Sequence, residues 1–144
     1  MNILFVCTGN TCRSPMAAGI FKKIIAEKNI KNITVSSAGL AANNNSPASK
    51  NAIEACKKNG IDLSEHISRS IFDINLSPID KFIVMTASHK DALLSMSVPI
   101  EKIHILGTGV LDPFGGDVKV YERCRNQIET ALYELLDELK IETG

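Results

Sequence analysis

The ten residues Val6-Cys7-Thr8-Gly9-Asn10-Thr11-Cys12-Arg13-Ser14-Pro15 lie between an apolar run, Ile3-Leu4-Phe5-Val6, and apolar positions at Ala17, Ile20, Phe21, Ile24 and Ile25 that recur at helical spacing. The pattern reads strand, loop, helix. A loop that opens a helix presents backbone N–H groups without intrahelical partners, and the helix dipole adds partial positive charge there, so such a loop binds anions. Gly9 permits a turn that a Cβ would obstruct, and Asn10 tolerates left-handed φ. Ser14-Pro15 predicts an N-cap followed by the first helical residue. A thiol at the strand end and an arginine six residues on set this loop apart from an ordinary phosphate loop. The dipole and Arg13 both favour the thiolate of Cys7, a nucleophile inside a cradle running from Thr8 through Gly9, Asn10, Thr11 and Cys12 to Arg13 and Ser14. The planar fork of Arg13 suits two phosphoryl oxygens while the Cys7 sulfur attacks phosphorus.

A chain of 144 residues predicts one domain, residues 1–144, long enough to bury a core without disulfides or metal. Lys+Arg and Asp+Glu both number 16, so no global charge favours a nucleic acid or an acidic membrane. No apolar stretch approaches the ~18 residues of a membrane span, and the N-terminus lacks a signal-peptide pattern. The expectation is a cytoplasmic monomer with no nucleic-acid or membrane partner. The four cysteines, Cys7, Cys12, Cys56 and Cys124, match neither a secreted disulfide framework nor a zinc knuckle. Cys56 and Cys124 fall on apolar helical faces and read as core. Cys12 shares the loop with Cys7 and is placed either to pack beneath it or to attack an oxidised Cys7, giving a reversible disulfide. His66, His89 and His104 are far apart in sequence and predict no metal site, only surface or core histidines.

Along the chain, Asn2 to Val6 and Phe82 to Met85 are continuous apolar runs, which predicts central strands covered on both faces. Asn32 to Ser37 and Lys102 to Leu106 alternate, which suits edge strands. A helix is expected from a Ser46 cap with Pro47 in its first turn to Asn59, with Gly60 just beyond, then a helix from Ala87 to Met96 and a last one from Val118 to Lys140. Ile61 to Pro78 has no strong period. Strands alternating with helices predict an α/β domain with a four-stranded parallel sheet in order 2-1-3-4 and helices on both faces. The loop then sits at the carboxyl end of strand one, where open α/β sheets place ligands.

The motif Val-Cys-x-Gly-Asn-x-Cys-Arg-Ser-Pro resembles that of the low-molecular-weight protein phosphatases, usually described as tyrosine phosphatases. The likeness extends to Ser36-Ser37-Ala38-Gly39, to Gly60-Ile61 followed by Ser64-Glu65-His66, and to Asp112-Pro113-Phe114. Within that family the chain looks most similar to bacterial protein-arginine phosphatases. Thr11 stands where tyrosine-specific members carry an aliphatic residue, and Phe114-Gly115-Gly116 replaces their tyrosines. The resemblance implies the same sheet order, phosphorylated proteins as partners, no cofactor, and a redox pairing of Cys7 with Cys12. It also implies that Ser37 and His66 support Asn10 in a strained loop.

Phosphoryl transfer to a thiolate needs a nucleophile, a charge-stabilising cradle and an acid for the leaving group. Cys7 and the loop with Arg13 supply the first two, and Ser14 is near enough in sequence to hydrogen-bond the Cys7 sulfur. The resemblance selects Asp112 as the acid; by the residues alone it is equally a turn aspartate, stiffened by Pro113. Asp117 reads as the N-cap of the last helix. A phosphoguanidinium wants acceptors whereas an aryl phosphate wants an apolar wall, so Thr11, with Leu40 and Phe114 as walls, favours phosphoarginine over phosphotyrosine. Two rivals share the loop. A thiol-dependent arsenate reductase needs a resolving pair after the third strand, but Val84 to Met96 holds no cysteine. A non-hydrolytic phosphocarrier would not depend on Asp112.

Overall fold

The computed structural model describes residues 1–139. Four parallel strands form one sheet: β1 (Asn2–Cys7), β2 (Thr34–Gly39), β3 (Lys81–Val84) and β4 (Ile103–Ile105), in the order β2-β1-β3-β4. The expected order holds, with the two continuous apolar runs at the centre and the two alternating segments at the edges. Among the described residues four α-helices accompany the sheet: α1 (Arg13–Glu27), α2 (Lys50–Lys57), α3 (Ala87–Ser95) and α4 (Val118–Glu138). Lys140, the expected end of the last helix, lies outside the described residues.

The period-two geometry of β1 divides the core. Ile3, Phe5 and Cys7 face one cluster, filled by Met16, Ile20 and Phe21 from α1, Ala52 and Cys56 from α2, and Ile128 and Leu132 from α4. Leu4 and Val6 face the other, with Phe82, Ile71 and Leu93 of α3. Helices therefore cover both faces, and every β1 residue from Ile3 to Val6 is fully shielded from water. This burial of large apolar side chains on both sides fixes the register of β1 between its neighbours. Cys7 is thereby delivered to the carboxyl edge of the sheet opposite Gly39.

Two helix starts differ from expectation. α2 is capped by Ser49, whose hydroxyl accepts the Ala52 N–H at 3.3 Å, not by Ser46. Ser46 and Pro47 lie in an extended segment instead, where Pro47 bridges Ile67 and the Ser46 N–H donates to Ser68 Oγ at 3.0 Å. A proline that reads as a helix start is as acceptable in an extended edge, because both leave its missing N–H without consequence. The other end holds: Gly60, at φ +73°, follows the last turn and donates its N–H to Lys57 O. The second difference concerns α1. Its N-cap is Cys12, without a capping side chain, so Ser14 and Pro15 are already inside the first turn. First-turn amides lack partners in any helix, so Pro15 fits there equally well. Ser14 is thus free to act elsewhere.

Candidate active site

The segment from Cys7 to Ser14 passes from the end of β1 into the first turn of α1, and it carries one non-glycine residue in the left-handed region, Asn10, at φ +56°. Asn10 is completely buried. Its amide nitrogen donates to Ser14 Oγ at 2.8 Å and to Ser37 Oγ at 3.0 Å, and its Oδ1 accepts the Arg69 backbone N–H at 2.9 Å. His66 Nε2 donates to the Asn10 carbonyl at 2.7 Å. Burial draws His66 below the usual histidine range, partly offset by that hydrogen bond. Three elements thus converge on one asparagine and satisfy its polar atoms, which is what holds a strained backbone in place. Ser37 and His66, which the resemblance implied as partners of Asn10, both lie within hydrogen-bond distance of it.

The Cys7 sulfur lies 2.9 Å from Ser14 Oγ. Because that oxygen already accepts from Asn10, its own proton is available to the sulfur. Arg13 is 5% exposed, its Nη1 donates to the Val110 carbonyl at 3.0 Å, and its Nη2 lies 3.7 Å from Asp112 Oδ2. The guanidinium is held from behind by the strand of chain that carries the acidic residue. Asp112 is about half exposed, and its Oδ1 accepts the Phe114 N–H at 3.0 Å. One carboxylate oxygen closes the turn while the other faces Arg13, so the turn reading and the catalytic reading are compatible in one side chain.

These groups enclose a cavity of about 220 Å³ lined by Cys7, Thr8, Gly9, Thr11, Cys12, Arg13, Asp112 and Phe114. The structure brings together the predicted nucleophile, cradle and acid, with Thr11 and the 81% exposed Phe114 on the wall. Asn10 and Ser14 lie behind the wall, fully buried. Leu40 is not part of it: its side chain packs on the α3 face of the sheet, and its N–H is bonded to the Cys7 carbonyl at 2.9 Å. The neighbouring Gly39 explains the closeness. A Cβ there would fall 2.6 Å from the Thr8 carbonyl oxygen and 3.1 Å from Asn10 Cβ, so only glycine lets β2 press against the loop.

Several neighbours were not foreseen from sequence. Cys12 Sγ is 3.3 Å from the Tyr121 hydroxyl and 3.5 Å from Ser49 Oγ, which ties the loop to α4 and α2. Burial and this contact push Tyr121 up to about 12. His89, 5% exposed, places Nε2 2.9 Å from Thr8 Oγ1. Arg69 and Val110 act through backbone groups, which leave no mark in a sequence. From the sequence His89 reads only as a surface or core histidine. Cys56 and Cys124 are buried, and loss of solvent pushes both thiols up to about 12, in keeping with core positions. Asp117 caps α4, accepting the Val120 N–H at 3.0 Å, as expected.

A family model described as low molecular weight phosphotyrosine protein phosphatase matches residues 2–143. The protein-arginine-phosphatase of Bacillus subtilis strain 168 is 39% identical, with 97% of each chain covered. The low molecular weight protein-tyrosine-phosphatase PtpB of Staphylococcus epidermidis is 36% identical, again over 97% of each. Among solved structures, a mutant of the YwlE arginine phosphatase with a phosphorylated active-site serine superposes with a TM-score of 0.90 at 36% identity, covering 97% of this chain and 96% of that one. With the motif, the sheet order and the loop geometry all in agreement, the chain belongs to the low molecular weight phosphotyrosine protein phosphatase family.

Proposed function

We propose that this phosphatase hydrolyses phosphoarginine in proteins through a phosphocysteine intermediate. The observation that carries the reading is the wall of the cavity: Thr11, a small side chain with an acceptor oxygen, shares it with the Asp112 carboxylate, and neither offers an aryl ring an apolar surface. A guanidinium donates in its plane and wants such acceptors. Similarity to a protein named as an arginine phosphatase supports the same choice.

In this reading the Cys7 thiolate attacks phosphorus as the P–N bond breaks, and Asp112 delivers its proton to the departing guanidino nitrogen. The loop amides and Arg13 neutralise the phosphoryl oxygens throughout. Asp112, now a carboxylate, takes a proton from water as the water oxygen bonds to phosphorus. The S–P bond breaks, and the Ser14 hydroxyl donates to the leaving sulfur. The remaining roles are supports: Asn10 with Ser37 and His66 for loop shape, and Cys12 as the thiol that captures an oxidised Cys7. The partners are phosphorylated proteins. No described helix is long and apolar enough to cross a membrane.

A phosphotyrosine substrate is the second reading, favoured by the exposed ring of Phe114 at the mouth. The test compares kcat/KM on a phosphoarginine protein and a phosphotyrosine peptide in chelator and reductant, with Cys7→Ser as the blank. Phosphoarginine is expected to be preferred, and Thr11→Ile to shift the ratio toward phosphotyrosine by about tenfold. A preference for phosphotyrosine in the unaltered enzyme would overturn the substrate and keep the chemistry.

A further inference from the structure

His89 lies in the first turn of α3, where its N–H donates to the capping Thr86 hydroxyl at 3.2 Å. Its ring turns away from that helix toward the loop, with Nε2 2.9 Å from Thr8 Oγ1. Its Nδ1 is buried and finds no hydrogen-bond partner among the described residues. Thr8 follows the nucleophile directly and lines the cavity. Nothing in the phosphoryl-transfer scheme uses this histidine.

The two ring nitrogens have unequal surroundings, which decides where the single proton of a neutral imidazole resides. If Nδ1 carried it, a buried N–H would be left without an acceptor, and such donors are rarer in folded proteins than unpaired acceptors. If Nε2 carries it, the ring donates to Thr8 Oγ1 and the orphan is only a lone pair. Burial and the Arg13 guanidinium draw His89 down to about 4, against a smaller opposing pull from Asp112, so the ring is neutral across the working range.

We propose that His89 is a positioning residue for anion binding: it donates its Nε2 proton to Thr8 Oγ1 and so anchors the mouth of the loop to α3, at the residue next to the nucleophile. The internal network at Asn10 holds the middle of the loop, and this contact holds its first residue. The peptide that joins Thr8 to Gly9 is held on its carbonyl side by the Ala41 N–H at 2.9 Å, and pinning the Thr8 side chain from the α3 side adds the second restraint beside Gly9, which lines the cavity. A donation at this point adds no charge beside Arg13, so it shapes the loop without competing for the phosphoryl oxygens. The inference rests on the phosphate-binding part of the reading above and is indifferent to which phosphorylated residue is the substrate.

The test uses inorganic phosphate, as a competitive inhibitor of the wild-type enzyme and its variants and by calorimetry on their Cys7→Ser forms. His89→Leu is expected to weaken phosphate by about fivefold, the worth of one hydrogen bond. Thr8→Val is expected to do the same, and the double variant no worse than either. His89→Gln, which can donate along a similar path, is expected to recover most of the loss. Wild-type affinity in His89→Leu, or losses that add in the double variant, would overturn the proposal. Nitrogen-15 spectra of the unaltered protein provide a readout that needs no substitution: Nε2 is expected to show the protonated shift and Nδ1 the unprotonated one. The reverse assignment would also overturn it. Loss of phosphoarginine preference alone would count against the substrate reading and leave this one standing.

Discussion

The phosphate loop and the loop that carries Asp112 face each other across one small cavity, and they are built in opposite ways. Behind the first, Asn10 and Ser14 are fully buried, and the middle of the loop is braced by β2, by the chain around His66 and Arg69, and by its own helix. In the second, Leu111 is 85% and Phe114 81% exposed, and Asp112 is half exposed. The difference teaches that the two tasks need different rigidity. Stabilising a transferring phosphoryl group rewards donors that need no reorganisation, whereas a proton donor at a protein-sized substrate must be reachable. Stability should therefore be concentrated in the floor of the cavity and turnover shared between floor and rim.

Asp112→Asn tests the rim most severely. Turnover is expected to fall by about 10²- to 10⁴-fold with accumulation of phosphocysteine, visible by intact mass, while the urea midpoint stays near wild type. A large loss of stability would erase the distinction between the two loops. Asn10→Ala tests the floor. It strands two hydroxyls and the Arg69 N–H and leaves a Cβ-bearing residue at positive φ without its compensating contacts, so unfolding free energy is expected to drop by about 3 kcal/mol, read from denaturant midpoints, with activity lost alongside. An Asn10→Ala protein as stable as wild type would show that the loop is not braced as described.

Between the two lies His89, which α3 lends to the floor. Its folded-state pKa, at about 4, lies below the unfolded value, so the unfolded chain binds the extra proton as pH falls below about 6.5. The stabilisation is whole above that value and is lost as pH falls toward 4. About 2 kcal/mol is expected to disappear between pH 7 and 5, and His89→Gln to flatten this part of the profile. The smallest effect belongs to the rim: Leu111→Ser should change stability by less than about 0.5 kcal/mol, since almost no apolar area leaves the core.

The same contrast explains what could be read from the sequence. Strand order followed from two continuous apolar runs and two alternating ones, because burial on both faces or on one writes itself directly into side-chain type. The nucleophile, the arginine and the capping Asp117 were legible for a similar reason: their chemistry resides in their own side chains at fixed spacing. Ser14 was legible as the partner of the thiol and misread as the helix cap, because a serine before a proline suits both jobs and the thiol took it. Ser46 misled because Pro47 is as content in an extended segment as in a first turn. Arg69 and Val110 were invisible because they contribute a backbone N–H and a carbonyl, which every residue has. Leu40 was legible as an apolar residue near the loop but not as one pointing to the α3 side, since that depends on the parity of the chain leaving β2.

Gly39 bears on a different question, whether such a loop can be moved. It is the register partner of Cys7, and a Cβ at this position would collide with the Thr8 carbonyl oxygen. The shape of the cradle is thus written partly in a neighbouring strand. Grafted by itself into another parallel α/β sheet, the segment from Cys7 to Ser14 would meet a side chain at this position in most hosts and be pushed off its path. The transferable unit is the loop together with the bare end of the strand beside it.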